Sequence, residues 1–273
     1  MVCAECGRDV VQAKTGRPRK YCSRSCQARG YRRRRDEGRL SAAAAAISSG
    51  GASPSLIDAA ISMADTRGIR ALTLRTLARD RGIAMSALQH DLGSRDRLVA
   101  LMVQQIFRES TSQSRSQDGE DAPVDEEPVD ALLRSADEEW QAYRAHPWLV
   151  EVMTTTRPPL VPAVLASVQA VIGTFMRVGL DSGEAFNRYL ALSAYVQGMA
   201  TLLTAERQES DRTGTSYRSW WLDQFRAMGR SGATTRHPWL TELSATRSQE
   251  SFHADAAFYD GLPRIVHGLV TSD

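Results

Sequence analysis

Four cysteines near the N-terminus are the side chains with the clearest potential for chemistry in this sequence. They follow the spacing Cys-x2-Cys-x15-Cys-x3-Cys, at positions Cys3, Cys6, Cys22 and Cys26. The N-terminal residues do not form an apolar signal segment, which disfavours disulfides. Each closely spaced pair can instead direct two thiolates toward one ion, so the pattern predicts a structural, tetrahedral Zn²⁺ site. A redox-active pair and unbound thiols are the alternatives.

The cysteines lie in a segment, residues 1–40, that we interpret as a basic arm. It resembles small zinc knuckles with a Tyr-Cys-Ser-x-x-Cys-x-x-Arg signature, here from Tyr21 to Arg29. Its few apolar residues imply that metal binding would supply most of its folding free energy. Four consecutive cations follow, namely Arg32, Arg33, Arg34 and Arg35. Such a run can lie along phosphates or enter a minor groove, although a solvated helix end is the alternative. Residues 41–53, rich in Ala, Ser and Gly, predict a flexible linker.

Beyond the linker, residues 54–109 have the pattern of a helix-turn-helix DNA-binding domain. Apolar spacing predicts helices over 74–81 and 85–92, joined by a turn at Gly82 and preceded by Thr73 as N-cap. A supporting helix is predicted from Pro54 to about residue 66, and a fourth over 95–108. A helix, a tight glycine turn and a short helix are typical of a major-groove reader. An ordinary three-helix packing unit without DNA is the alternative.

The run from Ser55 to Ile106 resembles the N-terminal domain of the tetracycline-repressor (TetR) family. The matching residues include the alanine pair at 59–60, Gly68, the residues 72–75 that open the second helix, 77–78, 82–83, Leu88 and 96–98. The recognition helix departs from the family at two positions. Gln89 replaces a usual tyrosine that contacts phosphate, and Asp91 replaces a usual histidine. The resemblance implies an all-α homodimer that binds an inverted-repeat operator in double-stranded DNA.

The helix geometry predicts which side chains meet DNA. Residues on the N-terminal half of the third helix should face the groove, namely Ala84, Met85, Ser86, Gln89 and His90. The Gln89 amide can pair bidentately with adenine, and the Met85 side chain can pack on a thymine methyl. A solvated surface position is the alternative for His90. Helix N-termini favour phosphate contacts, which predicts such contacts for Thr73, Arg75 and Arg95, the last standing where the family usually has a lysine.

Charge divides the chain into a basic and an acidic part. Residues 1–109 contain 20 Lys/Arg and 10 Asp/Glu, a net charge of +10, whereas residues 110–273 contain 14 and 22, a net charge of −8. A basic front half suits a polyanion, and an acidic rear half would be repelled by it. By itself the division could arise by chance, but the basic half also carries the helix-turn-helix.

The rear half is predicted to be a helical ligand-binding and dimerisation domain over residues 129–273, after an acidic linker over 110–128. Helices are expected near 129–145, 148–153, 163–178, 184–207, 217–228 and 249–270, with loops over 208–215 and 229–238. Pro263 predicts a kink or break in the last helix. Helices 184–207 and 249–270 carry the apolar surfaces expected to pair two subunits.

This half also resembles the C-terminal domain of tetracycline-repressor relatives, through His146-Pro147-Trp148, the 157–159 segment, 179–185 and 258–262. The resemblance implies a small-molecule effector. Aromatic, methionine and buried amide positions supply the candidates for its pocket, namely Trp140, Tyr143, His146, Trp148, Met153, Phe175, Tyr195 and Gln197. Core packing is the alternative for the aromatic residues and Met153, and a cap at a helix end is the alternative for His146.

Other function classes are less consistent with the sequence. It contains no Gly-x-Ser-x-Gly, no Gly-x-Gly-x-x-Gly and no P-loop, so we expect no enzyme and no catalytic cofactor. No apolar run is long enough to span a membrane, and the N-terminal residues form no signal segment, so we expect a cytoplasmic protein. The family resemblance implies a bacterial protein associated with the nucleoid. The sequence therefore predicts a transcriptional regulator, most simply a repressor that its ligand releases. An activator of the same fold, or an interaction module based on the zinc knuckle, are the alternatives.

Overall fold

The computed structural model describes residues 2–10, 20–31, 54–117, 126–155, 157–246 and 253–271. These residues confirm the predicted all-α class, since their only β pairing is one isolated bridge between Val2 and Asp9. Residues 24–31 form helix α1. The other helices are α2 (Pro54–Arg67), α3 (Leu74–Arg81), α4 (Met85–Leu92), α5 (Arg95–Gln117), α6 (Pro128–Ala145), α7 (Trp148–Met153), α8 (Pro162–Arg177), α9 (Ser182–Thr213), α10 (Tyr217–Arg230), α11 (Ala233–Arg236), α12 (Trp239–Thr246) and α13 (Ala254–Thr271). Within these ranges, no helix is both long and apolar enough to cross a membrane.

Helices α3 and α4 have the bounds that the sequence predicted. For α3, the reason is that both of its ends are capped by neighbouring residues. The Thr73 hydroxyl accepts from the Thr76 amide, and the Thr76 hydroxyl accepts from the Thr73 amide, which forms a capping box. Gly82 ends the helix with φ at 63°, a left-handed conformation that favours glycine. Leu77, Leu88 and other apolar residues of α2–α5 are fully buried beneath this turn.

The C-terminal bundle is built by α6, α8, α9 and α13, which pack on one another and, through α5, on the first bundle. One continuous set of buried side chains extends from α2 to α13. Its largest members include Trp140, which stacks on Phe258 with ring centroids 4.2 Å apart. Helix α5 continues to Gln117, so it reaches into the stretch predicted as an acidic linker. The relative position of the two bundles is therefore set by packing along α5.

Two boundary predictions in this bundle are wrong, and the break that was one of two expectations for Pro263 does not occur. Helix α9 continues to Thr213, through most of the predicted loop at 208–215, and ends at Gly214, with φ at 68°. Helices α11 and α12 follow in and after the predicted 229–238 loop. Helix α13 passes through Pro263 without a break, since Phe258, Leu262 and Val266 on both sides are buried against the bundle. The first residues of the predicted helix, 249–252, lie outside the described residues.

Candidate nucleic-acid interface and ligand cleft

The predicted DNA-reading side chains lie on the open face of α4. Leu88 and Leu92 are buried on the inner face, and this fixes the opposite face toward solvent. All five predicted groove residues are exposed, namely Ala84, Met85, Ser86, Gln89 and His90. The structure therefore leaves this surface available to a major groove. Its base contacts stay a prediction.

The three predicted phosphate-contacting residues differ in their surroundings. Thr73 and Arg75 are exposed at the N-terminus of α3, where unpaired amides and the helix dipole favour anions. Arg95 is half-buried, and its guanidinium donates from Nε to the Leu72 carbonyl (2.7 Å) and from Nη2 to the Ile69 carbonyl (2.6 Å). It braces the α2–α3 turn, so a phosphate contact from Arg95 would have to use its remaining donors. The predicted contacts of Arg32, Arg33, Arg34 and Arg35 lie outside the described residues.

A carboxylate that the sequence analysis did not single out joins the two bundles. The Asp65 Oδ1 atom in the last turn of α2 lies 2.9 Å from His146 Nδ1 and accepts from Trp148 Nε1 at 2.7 Å. A second pair, Arg70 Nε to Glu151 Oε2 at 3.1 Å, lies beside it at the surface. The segment between α6 and α7 is thus hydrogen-bonded to the C-terminal end of α2, the helix that supports the predicted DNA-contacting helices.

The predicted effector residues are mostly committed to the core. Trp140, Tyr143 and Phe175 are fully buried, and Trp140 Nε1 donates to Asp255 Oδ1 at 3.1 Å. His146 and Trp148 contact Asp65, as described above. Tyr195 donates from its hydroxyl to the Phe258 carbonyl at 3.0 Å. None of these six side chains lines a described cavity, since Phe175 is enclosed by the apolar core and the other five use their polar atoms inside the bundle.

The two remaining effector candidates, Met153 and Gln197, line a cavity of about 30 Å³ beside Glu139. Burial raises the pKa of Glu139 to about 6, although the Tyr143 hydroxyl donates to its Oε1 at 2.8 Å. Burial also raises the pKa of Tyr143 well above its ordinary value. A cavity of this size has room for roughly one water and not for a drug-sized ligand.

A much larger cleft lies elsewhere, between the C-terminal half of α9, helix α10 and the start of α13. Its volume is about 810 Å³, within the range of roughly 300–1,000 Å³ found for small-molecule sites. Aromatic rings of α10 form one wall, namely Tyr217, Trp220, Trp221 and Phe225. The opposite wall carries Met199 and Leu202 with the carboxylates of Glu206 and Glu209. The sequence analysis missed it because 208–215 was interpreted as a loop.

The aromatic rings of α10 contact one another and are not buried in the core. The Trp220 and Trp221 ring centroids are 5.0 Å apart at 76°, and those of Trp221 and Phe225 are 5.6 Å apart. No residue of α10 is fully buried, and Trp220 remains 47% exposed. An aromatic wall that stays open to solvent suits an apolar ligand.

The four cysteine sulfurs form a compact group. All four Sγ atoms lie within 4.8 Å of one another, and Cys22 Sγ is 3.5 Å from both Cys6 Sγ and Cys26 Sγ. No disulfide joins them. Cys3 and Cys26 are buried, whereas Cys6 and Cys22 are exposed. The spacing of the sequence thus brings together the predicted ligand set.

Helices α9 and α13 also leave apolar side chains in solvent. On α9, Phe186 and Leu190 are 46% and 48% exposed and continue at four-residue spacing into Ala194 and Gly198. On α13, Ile265 is 36% exposed. These are the helices that the sequence predicted to pair two subunits.

Comparison with known proteins gives a consistent assignment. A family model described as "Tetracyclin repressor-like, C-terminal domain" matches residues 123–272. The chain is 27% identical over 215 residues to the HTH-type transcriptional repressor DrrR1 of Streptomyces coeruleorubidus, covering 78% of this chain and 75% of that protein.

Solved structures show the same fold. Apo ActR from Streptomyces coelicolor is similar with a TM-score of 0.60 at 22% identity, over 79% of this chain and 92% of that one. The transcriptional regulator SCO7222 from the same organism is similar with a TM-score of 0.61 at 20% identity, over 79% and 95%. ActR in complex with actinorhodin gives a TM-score of 0.60 at 21% identity, over 79% and 93%. The chain belongs to the tetracycline-repressor-like family of transcriptional regulators.

Proposed function

We propose that this protein is a homodimeric, sequence-specific transcriptional repressor that a small molecule in the α9–α10–α13 cleft releases from DNA. The observation that carries the proposal is a helix-turn-helix with an open α4 face, followed by the family's C-terminal domain. The relative DrrR1 is a repressor by name, and ActR has been crystallised with actinorhodin. Repression and ligand control in relatives support both parts of the proposal.

Dimerisation follows from the geometry of a two-fold operator. A single α4 reads only one half-site, whereas a symmetric dimer presents two readers to an inverted repeat. The stripe Phe186, Leu190, Ala194 and Gly198 on α9 supplies an apolar strip with small residues that allow close helix approach. With Ile265 of α13 it would form a four-helix contact between subunits.

The cleft indicates the chemistry of the effector. Stacked and tilted rings on α10 favour a flat, largely apolar ring system. Glu206 on the facing wall favours a hydrogen-bond donor or a cationic group on that ligand, whereas the Glu209 carboxylate already accepts from Arg212 Nε at 3.0 Å. Glu206 Oε2 already accepts from the Ala254 amide at 3.2 Å, so a ligand that engages Glu206 also contacts the start of α13.

A chain of direct contacts connects the cleft with the DNA-binding bundle. Asp255, next to the cleft residue Ala254, accepts from Trp140 Nε1 and pairs with Arg144 Nε, each at 3.1 Å. Both partners lie on α6, which ends at His146 beside Asp65 of α2. We propose that a ligand in the cleft shifts α6 through Asp255 and thereby moves α2, the helix that packs beside the DNA-contacting helices. Such a shift requires the ligand to bind one arrangement of α6 better than the other.

The test begins with selection of operator duplexes from a random pool by the full-length protein. A half-site repeated in inverted order is expected, and a pool without enrichment would contradict sequence-specific binding. Planar aromatic amines are then screened for release of the selected duplex by fluorescence anisotropy. Release should be weakened in Trp220→Ala and retained in Trp239→Ala, a control that removes an indole 59% exposed outside the cleft. If the ligand released both variants from DNA equally well, the effector site would not be in this cleft.

A further inference from the structure

We infer that Cys3, Cys6, Cys22 and Cys26 bind one structural Zn²⁺ ion as a closed four-thiolate site. The site lies in the N-terminal segment, outside the region matched by the family model. It does not depend on the proposed ligand control of the repressor. Four separate observations on this segment carry the inference.

The first observation is the distance between the sulfurs. A tetrahedral Zn²⁺ with Zn–S bonds of about 2.3 Å places its ligands about 3.8 Å apart. Two of the sulfur pairs are 3.5 Å apart, and no pair exceeds 4.8 Å. No disulfide joins the four cysteines. The sulfurs are therefore free thiols that are gathered closely enough to share one ion.

The second observation is the backbone that presents the first two ligands. The Cys3 amide donates to the Arg8 carbonyl at 2.7 Å, and the Gly7 amide donates to the Cys3 carbonyl at 3.0 Å. Gly7 has φ at 71°, a conformation that closes this turn and favours glycine. The turn directs Cys3 and Cys6 to the same side. Cys22 is joined to it because its amide donates to Cys3 Sγ at 3.3 Å.

The third observation is the electrostatic setting of the second pair. Cys26 lies in the first turn of α1, where helix amides and the helix dipole stabilise negative charge. Its amide is itself capped by the Ser23 hydroxyl at 3.2 Å. Arg29 Nη2 donates to Cys26 Sγ at 3.5 Å. Four thiolates on Zn²⁺ leave a net charge of −2, and these groups lie where they offset it.

The fourth observation is how little else holds the segment together. Among the described residues of this segment, 2–10 and 20–31, the buried apolar residues are Cys3, Val10 and Cys26, with Tyr21 packed against them. Tyr21 lies so close to α1 that a Cβ atom on Gly30 would sit 2.7 Å from Tyr21 Cε1. Two of the three core residues are thus metal-ligand candidates. Without a metal such a core is too small to order the segment, which is the usual situation in small zinc modules.

Four protein ligands leave no open coordination position, so the site is structural and not catalytic. Its effect would be to fix a turn and a helix that present the exposed cations Arg8, Lys20 and Arg24.

The test uses the full-length protein purified in reducing buffer without chelator. Elemental analysis should give about one zinc per chain, and replacement by Co²⁺ should give the visible absorption typical of a tetrahedral thiolate site. Cys6→Ala is the informative variant because Cys6 is exposed and contributes least to the small core. Its zinc affinity should fall by more than the roughly 10–100-fold that even outer-shell substitutions cost.

Arg24→Gln serves as the matched control, since it changes an exposed residue between the cysteines and keeps all four sulfurs. It should retain zinc and the cobalt spectrum. Wild-type protein without zinc that also fails to take up Co²⁺ would overturn the inference. So would a Cys6→Ala variant with wild-type zinc affinity. Operator binding is not a readout here, so this test can fail while the proposed repressor function stands.

Discussion

Asp65 allows the contact between the DNA-binding bundle and the C-terminal bundle to be tested on its own. Its carboxylate lies in the last turn of α2, where the helix dipole disfavours a negative charge by about 0.3–1 kcal/mol. Hydrogen bonds to a charged group contribute about 1.5–3 kcal/mol each. Asp65 and His146 are 28% and 22% exposed, which favours the lower end of that range. Two such bonds, less the dipole penalty, predict that Asp65→Ala lowers the free energy of unfolding by about 2 kcal/mol.

A double-mutant cycle separates the contact itself from local effects of the substitution. Trp148→Phe removes the indole Nε1–H that donates to Asp65 and keeps an aromatic ring in the buried site. The free energy of unfolding of both single variants and the double variant is measured by urea titration. If the contact is real, the two changes should be non-additive by about 0.5–3 kcal/mol.

Asp58→Ala is the matched control on the same helix, because its carboxylate accepts from Gln105 within the first bundle and does not reach α7. It should be additive with Trp148→Phe. Additivity within about 0.5 kcal/mol for Asp65→Ala and Trp148→Phe would refute the reasoning. The bundles would then be held together by apolar packing along α5 alone.

Three further predictions concern reading, assembly and the buried carboxylate. Gln89→Ala should cost about 1–3 kcal/mol on the selected operator and relax base preference at one position per half-site, as measured by repeating the selection; unchanged preference would contradict the placement of α4. Leu190→Glu should produce monomers in light scattering, whereas Leu165→Glu, at a position of α8 that is 49% exposed, should leave the dimer intact. Burial raises the pKa of Glu139 from its ordinary 4.5 to about 6, so ionisation disfavours the folded state as pH rises. Relative to Glu139→Gln, the wild-type free energy of unfolding should therefore increase by about 1 kcal/mol from pH 7 to pH 5; parallel pH curves would contradict this.

The parts of the fold that the sequence predicted well are those with local causes. Helices α3, α4 and α7 have the predicted bounds, and the first two are delimited by Thr73, Gly82 and Gly93. The open face of α4 follows from the same local periodicity, because burying Leu88 and Leu92 determines which residues stay exposed. The cysteine cluster was predictable for a related reason, since the spacing within each pair limits where the thiols can point.

The errors arose where tertiary packing outweighs local pattern. Pro263 predicts a kink or break, and the buried residues on both sides hold α13 as one helix without the break. Trp140 was a plausible pocket residue by type. In the fold its ring stacks on Phe258 and its indole donates to Asp255, which leaves it no role in a described cavity. Sequence alone cannot distinguish an aromatic residue with a distant partner from one that faces a ligand, because the partner is 115 positions away.

The α10 cleft is the better candidate for the proposed effector site. The rings of α6 and α7 have polar partners inside the bundle, whereas Trp220 keeps nearly half of its surface exposed and α10 has no fully buried residue. Burial of exposed apolar surface lowers the free energy by roughly 25 cal/mol per Å². A ligand that fills the cleft would therefore gain most from the arrangement in which α10 closes on α9. Such a closure would act on Glu206 and Ala254 directly, and through Asp255 it would act on α6. The free energy available to move the DNA-binding bundle is then set by the aromatic surface that the ligand buries on α10.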